Sequence, residues 1–523
     1  MKNKSNLLLL SALLGGLLFS FLFWKERLAL NLLIYSVYIL IITYVNPDII
    51  KSQKFKIYGA THLLAAFLVL INNSDLSLVS YYISLLLFIG YSHNQKIRTV
   101  FTSFGAAILQ MVTVPLNAIK TLAEVKIGNF NFKPVFKLVK YVFIPLVIVT
   151  IFTCLYSAAN SVFAHYAETI LTSISELIEN TIGLLFKDLS ALRFIHFCLG
   201  LLVTSGLVIA FFDKSLQNAE SNCKEQLLRV RKNAKYKSIW RELLSTFSFS
   251  LLDKKLALKT EYITALISFI ALNILLLLLN SIDIVTIWFG YKPSGNFSAD
   301  LHDGTNALIF SIAMAMGIII YFFRGNLNFY SKSKTLRFLA FVWMLQNLIL
   351  IVSVFIRDGY YIEFYGLTYK RIGVIIFAIL CIIGLTTVYL KVSKQKTLFY
   401  LLKVNGNIWF ALLLAFSVVN WDVFIAKYNL SQQTKISLDA GYLLTLSDKT
   451  LPILEKNREK LHFTEGTDIN DRTYAKPETA EFYQHQLDMR ISFFKERYKK
   501  VSWLSWNLQD WKTAEYFNIP NKN

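Results

Sequence analysis

Residues 7–24 read LLLLSALLGGLLFSFLFW, eighteen positions without a charged side chain. An α-helix needs about 20 mostly apolar residues to cross the roughly 30 Å hydrocarbon core of a bilayer. A helix that packs on a soluble core keeps a polar face, and this stretch has none. It therefore predicts a membrane span. The run is too long for a usual signal peptide and a second one begins three residues later, so we expect it to be retained.

Similar apolar runs recur along the chain. The 523 residues are 55% apolar and only 17% charged, whereas about a quarter of the residues of a soluble domain are charged. The sequence therefore predicts an all-α integral membrane protein with about eleven transmembrane helices. The predicted spans are 7–24, 28–45, 57–72, 76–92, 141–160, 192–212, 262–281, 305–323, 337–356, 372–391 and 399–419.

Basic residues are distributed unevenly between the loops. If the N-terminus is inside, the inner segments with the flanking Arg337 and Lys391 carry 30 Lys and Arg, and the outer loops carry seven. This asymmetry follows the positive-inside rule. It predicts a cytoplasmic N-terminus and an outer C-terminus. Lys25 and Arg27, in the first outer loop, run against the trend.

Three segments between the spans differ from plain connectors. Segment 105–119 is apolar but short, and basic residues flank both its ends, so we expect an interfacial or re-entrant helix that does not cross. Outer loop 161–191 has apolar residues at helical spacing, which predicts an amphipathic helix. The basic run at 229–237 is expected to meet anionic lipid headgroups. The net charge of +21 thus predicts membrane lipids as partners and no nucleic acid.

The chain divides into four predicted regions. Residues 1–160 form a first membrane bundle, and 161–261 hold the amphipathic loop, one span and the basic loop. Residues 262–419 form a second bundle, and 420–523 form a small helical extracytoplasmic tail. The tail has 15 basic and 14 acidic residues, and it is a candidate docking site for a protein partner. Its second predicted helix, at about 478–501, carries one apolar stripe: Phe482, Leu487, Ile491, Phe494, Tyr498 and Val501.

Motifs for catalysis or cofactor binding are missing from the sequence. It contains no P-loop, GxGxxG, GxSxG or HExxH pattern, and its four cysteines lack CxxC spacing. His62 and His196 lie alone on separate spans. We therefore predict no metal and no cofactor. The predicted spans also contain no Asp or Glu, which argues against a proton- or sodium-coupled carrier.

The densest polar cluster is RDGYYIEFYGLTYKR at 357–371. Gly366 permits a tight turn there, and Thr368 could cap the next helix. Arg371 would then lie in the first turn, where the helix dipole repels a cation. We therefore expect a carboxylate within about 4 Å of its guanidinium. The candidate binding residues at the outer face are His302, Asp303, Arg357, Asp358, Tyr361, Glu363, Tyr365, Thr368, Arg371 and Asp422. An ordinary interface of aromatic and ionic side chains is the alternative.

Three motifs in this region resemble a known family. They are YGLTYKR at 365–371, IAKYN at 425–429 and LDAGYLLTLSDKTLPIL at 438–454, with a weaker HDG element at 302–304. In order and spacing they are similar to the motifs of an uncharacterised bacterial family of polytopic membrane proteins, carried as a domain of unknown function. The resemblance covers roughly 260–455. It implies an integral inner-membrane protein and no particular activity.

Two classes of function fit these observations. The first is an envelope membrane protein that acts as a transporter, a carrier or a scaffold component. The second is a membrane-embedded enzyme that acts at the outer face on a lipid-linked substrate, with Glu363, Asp358 or His302 as acid or base. The short first outer loops, KER and NSD, lack the compact motif that such enzymes usually carry, which favours the first class.

The predicted topology can be tested with fusions after Asn523. Alkaline phosphatase, which folds only outside the cytoplasm, should be active there in a bacterial host, and green fluorescent protein should stay dark. The opposite pattern would mean a miscounted span, with 105–119 as the first suspect.

Overall fold

The computed structural model describes residues 2–123, 126–127, 130–131, 145, 149–150, 152–154, 156–157, 160–183, 191–209, 214–229, 258–289, 297–432, 438–461 and 479–520. Apart from one antiparallel pair of two-residue strands, its regular structure is helical, which confirms the predicted all-helical class. The elements of the first part are α1 (Lys2–Phe23), α2 (Leu30–Val45), α3 (Gln53–Asn72), α4 (Asp75–His93), α5 (Val100–Ala123), β1 (Lys126–Ile127), β2 (Phe130–Asn131), α6 (Ser161–Gly183), α7 (Ala191–Val208) and α8 (Lys214–Ser221).

The first bundle is held together by close helix contacts at small residues. A Cβ on Gly16 of α1 would lie 3.0 Å from the Cα of Leu201 in α7. The glycine thus lets the two backbones approach, as small residues do in membrane bundles. Near this contact, the Tyr35 hydroxyl of α2 lies 2.8 Å from that of Thr204 in α7. Three helices therefore meet along one line.

Helix α5 runs across the ends of its neighbours. Oε1 of Gln110, in the middle of α5, lies 2.7 Å from Nδ1 of His93, the last residue of α4. The amide nitrogen of Gln110 donates to the carbonyl of Gly206, close to the end of α7 at Val208. The first turn of α5 packs on the last turn of α4 as well, because a Cβ on Gly90 would meet the carbonyl of Ser103. Helix α5 thus contacts the end of α4 from its first turn to its middle.

The second bundle follows residue 257 and leads into a C-terminal unit. Its elements are α9 (Leu258–Asp283), extended by a π-helical turn (Ile284–Trp288), then α10 (Phe297–Phe322), α11 (Ser333–Tyr365), α12 (Tyr369–Ser393) and α13 (Leu398–Ser417). Helix α13 also packs on the first bundle, since a Cβ on its Gly406 would touch Val100 of α5 at 3.3 Å. It is therefore the connection between the two bundles.

The described residues between 420 and 520 form a compact unit, here called the cap. Its helices are α14 (Trp421–Ser431), α15 (Ala440–Thr445), α16 (Leu451–Lys456), α17 (Ala480–Tyr498) and α18 (Leu508–Tyr516). Leu487, Ile491 and Phe494 of α17 are buried in its core, as the apolar stripe predicted, whereas Phe482 is exposed. The same core includes Leu367 and Ile372 from the second bundle, so the cap is built onto that bundle.

The cap covers one end of both bundles. The amide of Leu30 donates to the carbonyl of Trp506, and the ammonium of Lys449 donates to the carbonyl of Asn73. At the opposite end, Arg98 and Lys403 both bind Glu225. These contacts hold the pKa of Glu225 below its usual range, the hydrogen bond from Lys403 being the largest cause. The connections thus gather at two ends of the molecule.

The described helices make this a multi-pass membrane protein. Six are long and apolar enough to cross a membrane within the described ranges: Gln53–Asn72, Asp75–His93, Leu258–Trp288, Ser333–Tyr365, Tyr369–Ser393 and Leu398–Ser417. Five shorter apolar helices accompany them: Leu10–Phe23, Leu30–Val45, Val100–Pro115, Leu192–Val208 and Ala307–Phe322. The number of eleven spans and their sidedness stay predictions. Most of predicted span 141–160, and residues 230–237 of the basic run, lie outside the described residues.

Candidate functional site at the cap end of the second bundle

The YGLTYKR segment is a tight turn between α11 and α12. Gly366 follows the last residue of α11 and has φ 77°, a value that L side chains rarely adopt, so the predicted glycine turn is confirmed. Thr368 takes the N-cap position of α12, but its side chain makes no capping hydrogen bond. Instead, the N–H of Tyr369 donates to the hydroxyl of Tyr442 in the cap at 3.1 Å. The first orphan amide of α12 is therefore satisfied by the cap.

Arg371 does not bind a carboxylate, which corrects the prediction. Within the described part of the chain, no carboxylate lies within ion-pair distance of its guanidinium, and Asp358 acts on it only at longer range. The guanidinium donates to the carbonyls of Tyr365 and Gly366, at 3.0 Å for Tyr365, and lies 4.5 Å from the ring centre of Tyr361. These carbonyls end α11, where orphan acceptors and the negative end of the helix dipole attract a cation. The end of α11 thus replaces the expected acid.

The side chain of Asn429 joins the YGLTYKR segment to the cap through two hydrogen bonds. The backbone N–H of Leu367 donates to Oδ1 of Asn429 at 2.6 Å, and Nδ2 of Asn429 donates to the carbonyl of Leu367 at 3.0 Å. Both residues are buried. A side-chain amide therefore pairs with a backbone amide in the manner of a sheet ladder, and it leaves neither buried group unpaired.

Asp422 adds a second connection between bundle and cap. Its carboxylate accepts the hydroxyl of Tyr369 at 2.6 Å on one oxygen and the hydroxyl of Ser447 on the other. It also lies in the first turn of α14, where the dipole favours an anion. Burial raises the pKa of nearby Tyr442, whose hydroxyl stays neutral. For Lys449 burial acts in the opposite direction and lowers the pKa, because it disfavours the charged ammonium. The carboxylate of Asp422 opposes this decrease.

A buried ion pair lies beside this junction, inside the second bundle. A guanidinium nitrogen of Arg357 lies 2.6 Å from Oδ1 of Asp283, with side chains only 13% and 3% exposed. Three polar atoms here have no described partner: Oδ2 of Asp283, Nε of Arg357 and Oδ2 of Asp358. The helices α9 and α11 extend beyond predicted spans 262–281 and 337–356. Asp283 and Asp358 therefore lie in the same continuous helices as two predicted spans, beyond the limits predicted for those spans from hydropathy.

The ion pair continues into a polar seam between α9 and α11. Nε2 of Gln346 donates to Oδ1 of Asn273 at 3.0 Å, and Nδ2 of Asn280 donates to the carbonyl of Gln346 at 3.1 Å. The indole of Trp288 donates to the hydroxyl of Ser353 at 3.0 Å. Partners advance together along both helices, so the helices run parallel. Oδ1 of Asn280 and Oε1 of Gln346 are buried without a described partner.

The remaining predicted residues do not join one site. Glu363 is exposed, and five positions separate it from buried Asp358, which places the two on different faces of α11. His302 and Asp303 lie in α10, but their side chains are outside the described part of the structure. The predicted cluster is thus divided into a cap junction at Asp422 and Arg371 and a buried site at Arg357 and Asp358. No group of three or more His, Cys, Asp or Glu that could hold a metal occurs among the residues searched.

Several residues that build the site were missing from the predicted set. Asn429 lies in the IAKYN motif and Tyr442 in the LDAGYLL motif. The motifs that carry the resemblance could therefore have indicated both residues. Tyr369 was likewise inside YGLTYKR. Asp283 carries no such signal, because it follows an apolar run and resembles the first residue of a loop.

Comparison with known proteins agrees with the resemblance seen in the motifs. The model of a family described as a domain of unknown function, DUF4153, matches residues 58–457. This range begins well before the motif-bearing region at 260–455 and includes the cap junction. No curated protein and no solved structure matches the chain.

Arg371→Ala should destabilise the junction more than Lys370→Ala. It removes two hydrogen bonds from a charged donor, each worth about 1.5–3 kcal/mol, whereas Lys370 is exposed. The midpoint of thermal unfolding in detergent should fall for Arg371→Ala, recover in part for Arg371→Lys and stay near wild type for Lys370→Ala. Equal midpoints for the two alanine variants would contradict the role given to the α11 carbonyls.

Proposed function

We propose that this chain, which belongs to the DUF4153 family, is a carrier of the bacterial inner (plasma) membrane. The family itself carries no assigned activity. The substrate path of the carrier would be the polar seam between α9 and α11. The path would open at the cap end and admit water, protons or a small cation. The observation that carries this proposal is the row of buried acceptors without described partners along that seam.

The arrangement of the loops supports the sidedness of this proposal. The loops predicted to be outside at 25–27, 73–75 and 366–368 all contact the cap or border its contacts. The loops predicted to be inside gather at the opposite end, for example through Arg98 and Glu225. The course of α5 across the ends of α4 and α7 fits a helix that does not cross. With eleven spans, the cap would lie on the outer surface.

The chemistry of the seam defines what could occupy it. The unpartnered atoms of the seam are mainly acceptors, namely one oxygen each of Gln346, Asn280 and Asp283, with Nε of Arg357 as the donor. A buried polar group without a partner costs roughly 1–3 kcal/mol, so an occupant that donates hydrogen bonds would be stabilised there. Water, a proton or a cation meets this requirement. Ionisable groups buried in membrane helices commonly mark such pathways.

The seam is closed towards the other end of the bundle. From Asp283 down to Asn273 it extends ten residues, or about 15 Å, roughly half of the hydrocarbon thickness. One turn further, the ring of Phe269 packs on those of Phe322 and Trp343 at centroid distances of 5.6 Å each. This aromatic group ends the polar row. The arrangement fits a carrier that is open on one side at a time.

A scaffold role is the second candidate, and one observation favours it. Phe482, Met489 and Phe493 lie on one side of α17 and are 40%, 45% and 65% exposed. Exposed apolar stripes of this kind mark protein contacts. The enzyme alternative is weaker, because Glu363 and Asp358 do not face a common site.

Cysteine accessibility distinguishes a path from a packed interface. Cys154, Cys198, Cys223 and Cys381 are first replaced by serine, and single cysteines are introduced at Asn280, Ser353 and Ala265. Membrane-impermeant thiosulfonates, one cationic and one anionic, are then added from the outer side of intact cells. We expect the cysteines at Asn280 and Ser353 to react faster with the cationic reagent than with the anionic one, because the unpartnered oxygens of the seam attract a cation. A cysteine at buried Ala265, one turn below Phe269 and the closure, should react with neither.

The design includes two internal controls. A cysteine at exposed Ser492 of the cap should react with both reagents. In the Asp283→Asn background the preference for the cationic reagent should decrease. If the cysteine at Ser492 reacts while those at Asn280 and Ser353 do not, the seam is a packed helix interface and the carrier proposal is wrong.

The scaffold role predicts a discrete contact of α17 in cells. A photo-crosslinking amino acid at Phe493 should give one defined adduct with another protein, and the same group at exposed Lys499 should not. The reason is that the apolar stripe includes Phe493 and excludes Lys499. Blotting the full-length chain after irradiation measures this. If no adduct forms at Phe493, the scaffold role proposed for α17 is wrong.

A further inference from the structure

A basic pocket lies between the α1–α2 turn and the cap. Four cations line it: Lys25 and Arg27 from the turn, and Arg497 and Lys500 from the end of α17. The cavity has a volume of about 210 Å³, which is large enough for a phosphate group. These are the two turn residues that run against the positive-inside rule. The cap supplies two more cations at the same place.

The positive charge of the pocket is not fully neutralised by the protein. Glu26, its one acidic lining residue, accepts the hydroxyls of Ser502 and Ser505 at 2.6 Å each. Arg27 is 54% exposed and lies 3.8 Å from Asp510. In the described part of the chain, no carboxylate forms an ion pair with Lys25 or Lys500. An anion would therefore find at least two cations that are not committed to protein carboxylates.

The backbone holds Lys25 in an unfavourable conformation beside the pocket. Its φ of 57° is in the left-handed region, which is uncommon for a residue other than glycine. The cap fixes this conformation, because the backbone N–H of Arg27, two residues after Lys25, donates to the hydroxyl of Ser505 at 2.8 Å. Strained residues of this kind often occur at binding sites. Docking of the cap thus places the ammonium of Lys25 at the pocket.

Arg497 forms a rigid wall of the pocket. One of its terminal nitrogens lies 2.6 Å from Oδ2 of Asp448, which fixes the guanidinium. Its Nε is buried and has no partner among the described residues. A guanidinium with a fixed plane suits a tetrahedral oxyanion, because the terminal N–H groups that Asp448 leaves free can bind its oxygens.

The position of the pocket suggests where such an anion comes from. Lys25 comes two residues after Phe23, the end of the first apolar helix, and its ammonium lies 5.8 Å from the ring centre of Trp24. Trp503 is 62% exposed close by. Tryptophans at the end of an apolar helix are typical of the headgroup level of a bilayer.

We propose that this basic pocket binds a phosphate group, carried either by an anionic phospholipid headgroup or by a soluble phosphate ester. The site is separate from the seam of the proposed carrier, because it is built from α1, the following turn and the cap. It needs no activity of the second bundle. Bound phosphate would connect the first bundle to the cap through charge.

Ligand titration of the full chain tests this site. Delipidated protein in an uncharged detergent is titrated with dioctanoyl phosphatidylglycerol, dioctanoyl phosphatidylcholine and inorganic phosphate, and binding is followed by calorimetry. Tight binding of phosphatidylglycerol with weak binding of the other two identifies a headgroup. Equal binding of inorganic phosphate and phosphatidylglycerol identifies a soluble phosphate. Both results support the pocket, and failure of both probes to bind overturns it.

A pair of double variants shows whether the pocket itself binds. Lys25→Asn with Lys500→Gln should weaken binding about 25-fold, since each cation near a phosphate contributes about fivefold. Asparagine is chosen at 25 because it tolerates the left-handed region. Lys499→Gln with Lys512→Gln removes the same charge from exposed positions outside the pocket and should change affinity less than about twofold. Unchanged affinity of the pocket variant, or an equal loss in both variants, overturns the proposal.

Discussion

The pair of hydrogen bonds between Asn429 and the backbone of Leu367 is the contact on which the cap end depends. Leu367 lies in a turn between two helices, where its N–H and carbonyl have no helical partner, and buried backbone groups must be paired. Asn429 satisfies both and thereby fixes the cap against the second bundle. The placement of Tyr442, Asp422 and Arg371 follows from this one docking. Replacing Asn429 would leave two buried groups, the N–H and the carbonyl of Leu367, without a partner.

Two kinds of buried polar group occur in the second bundle, and they differ in what they imply. At the cap junction, donors and acceptors are matched: Tyr369, Asp422 and Ser447 form a connected network. Along the seam, acceptors such as Oδ2 of Asp283 remain without a described partner. A matched network rigidifies, whereas an unmatched one has a cost that an occupant can relieve. This contrast is the basis for giving the junction a structural role and for proposing a path along the seam.

In the described part of the second bundle, two cations are bound by backbone carbonyls instead of carboxylates. Arg371 lies on the carbonyls that end α11, and buried Lys391 donates to the carbonyl of Phe323 close to the end of α10 at 2.7 Å. Helix ends present several orphan acceptors in one place, so they compete well with a single carboxylate. The prediction of an acid beside Arg371 was wrong because residue types show only side-chain partners. Backbone carbonyls, which bind this guanidinium, cannot be identified from residue types.

The sequence by itself determined the helical membrane class and the glycine turn at Gly366, because contiguous apolar runs and a required φ are local properties. It also marked the motifs that meet at the junction. Only the tertiary structure decided which residues pair: Asp283 with Arg357, Asn429 with Leu367, and Lys25 with the cap. These partners are separated by 60 residues or more, and packing, which no local pattern encodes, brings them together.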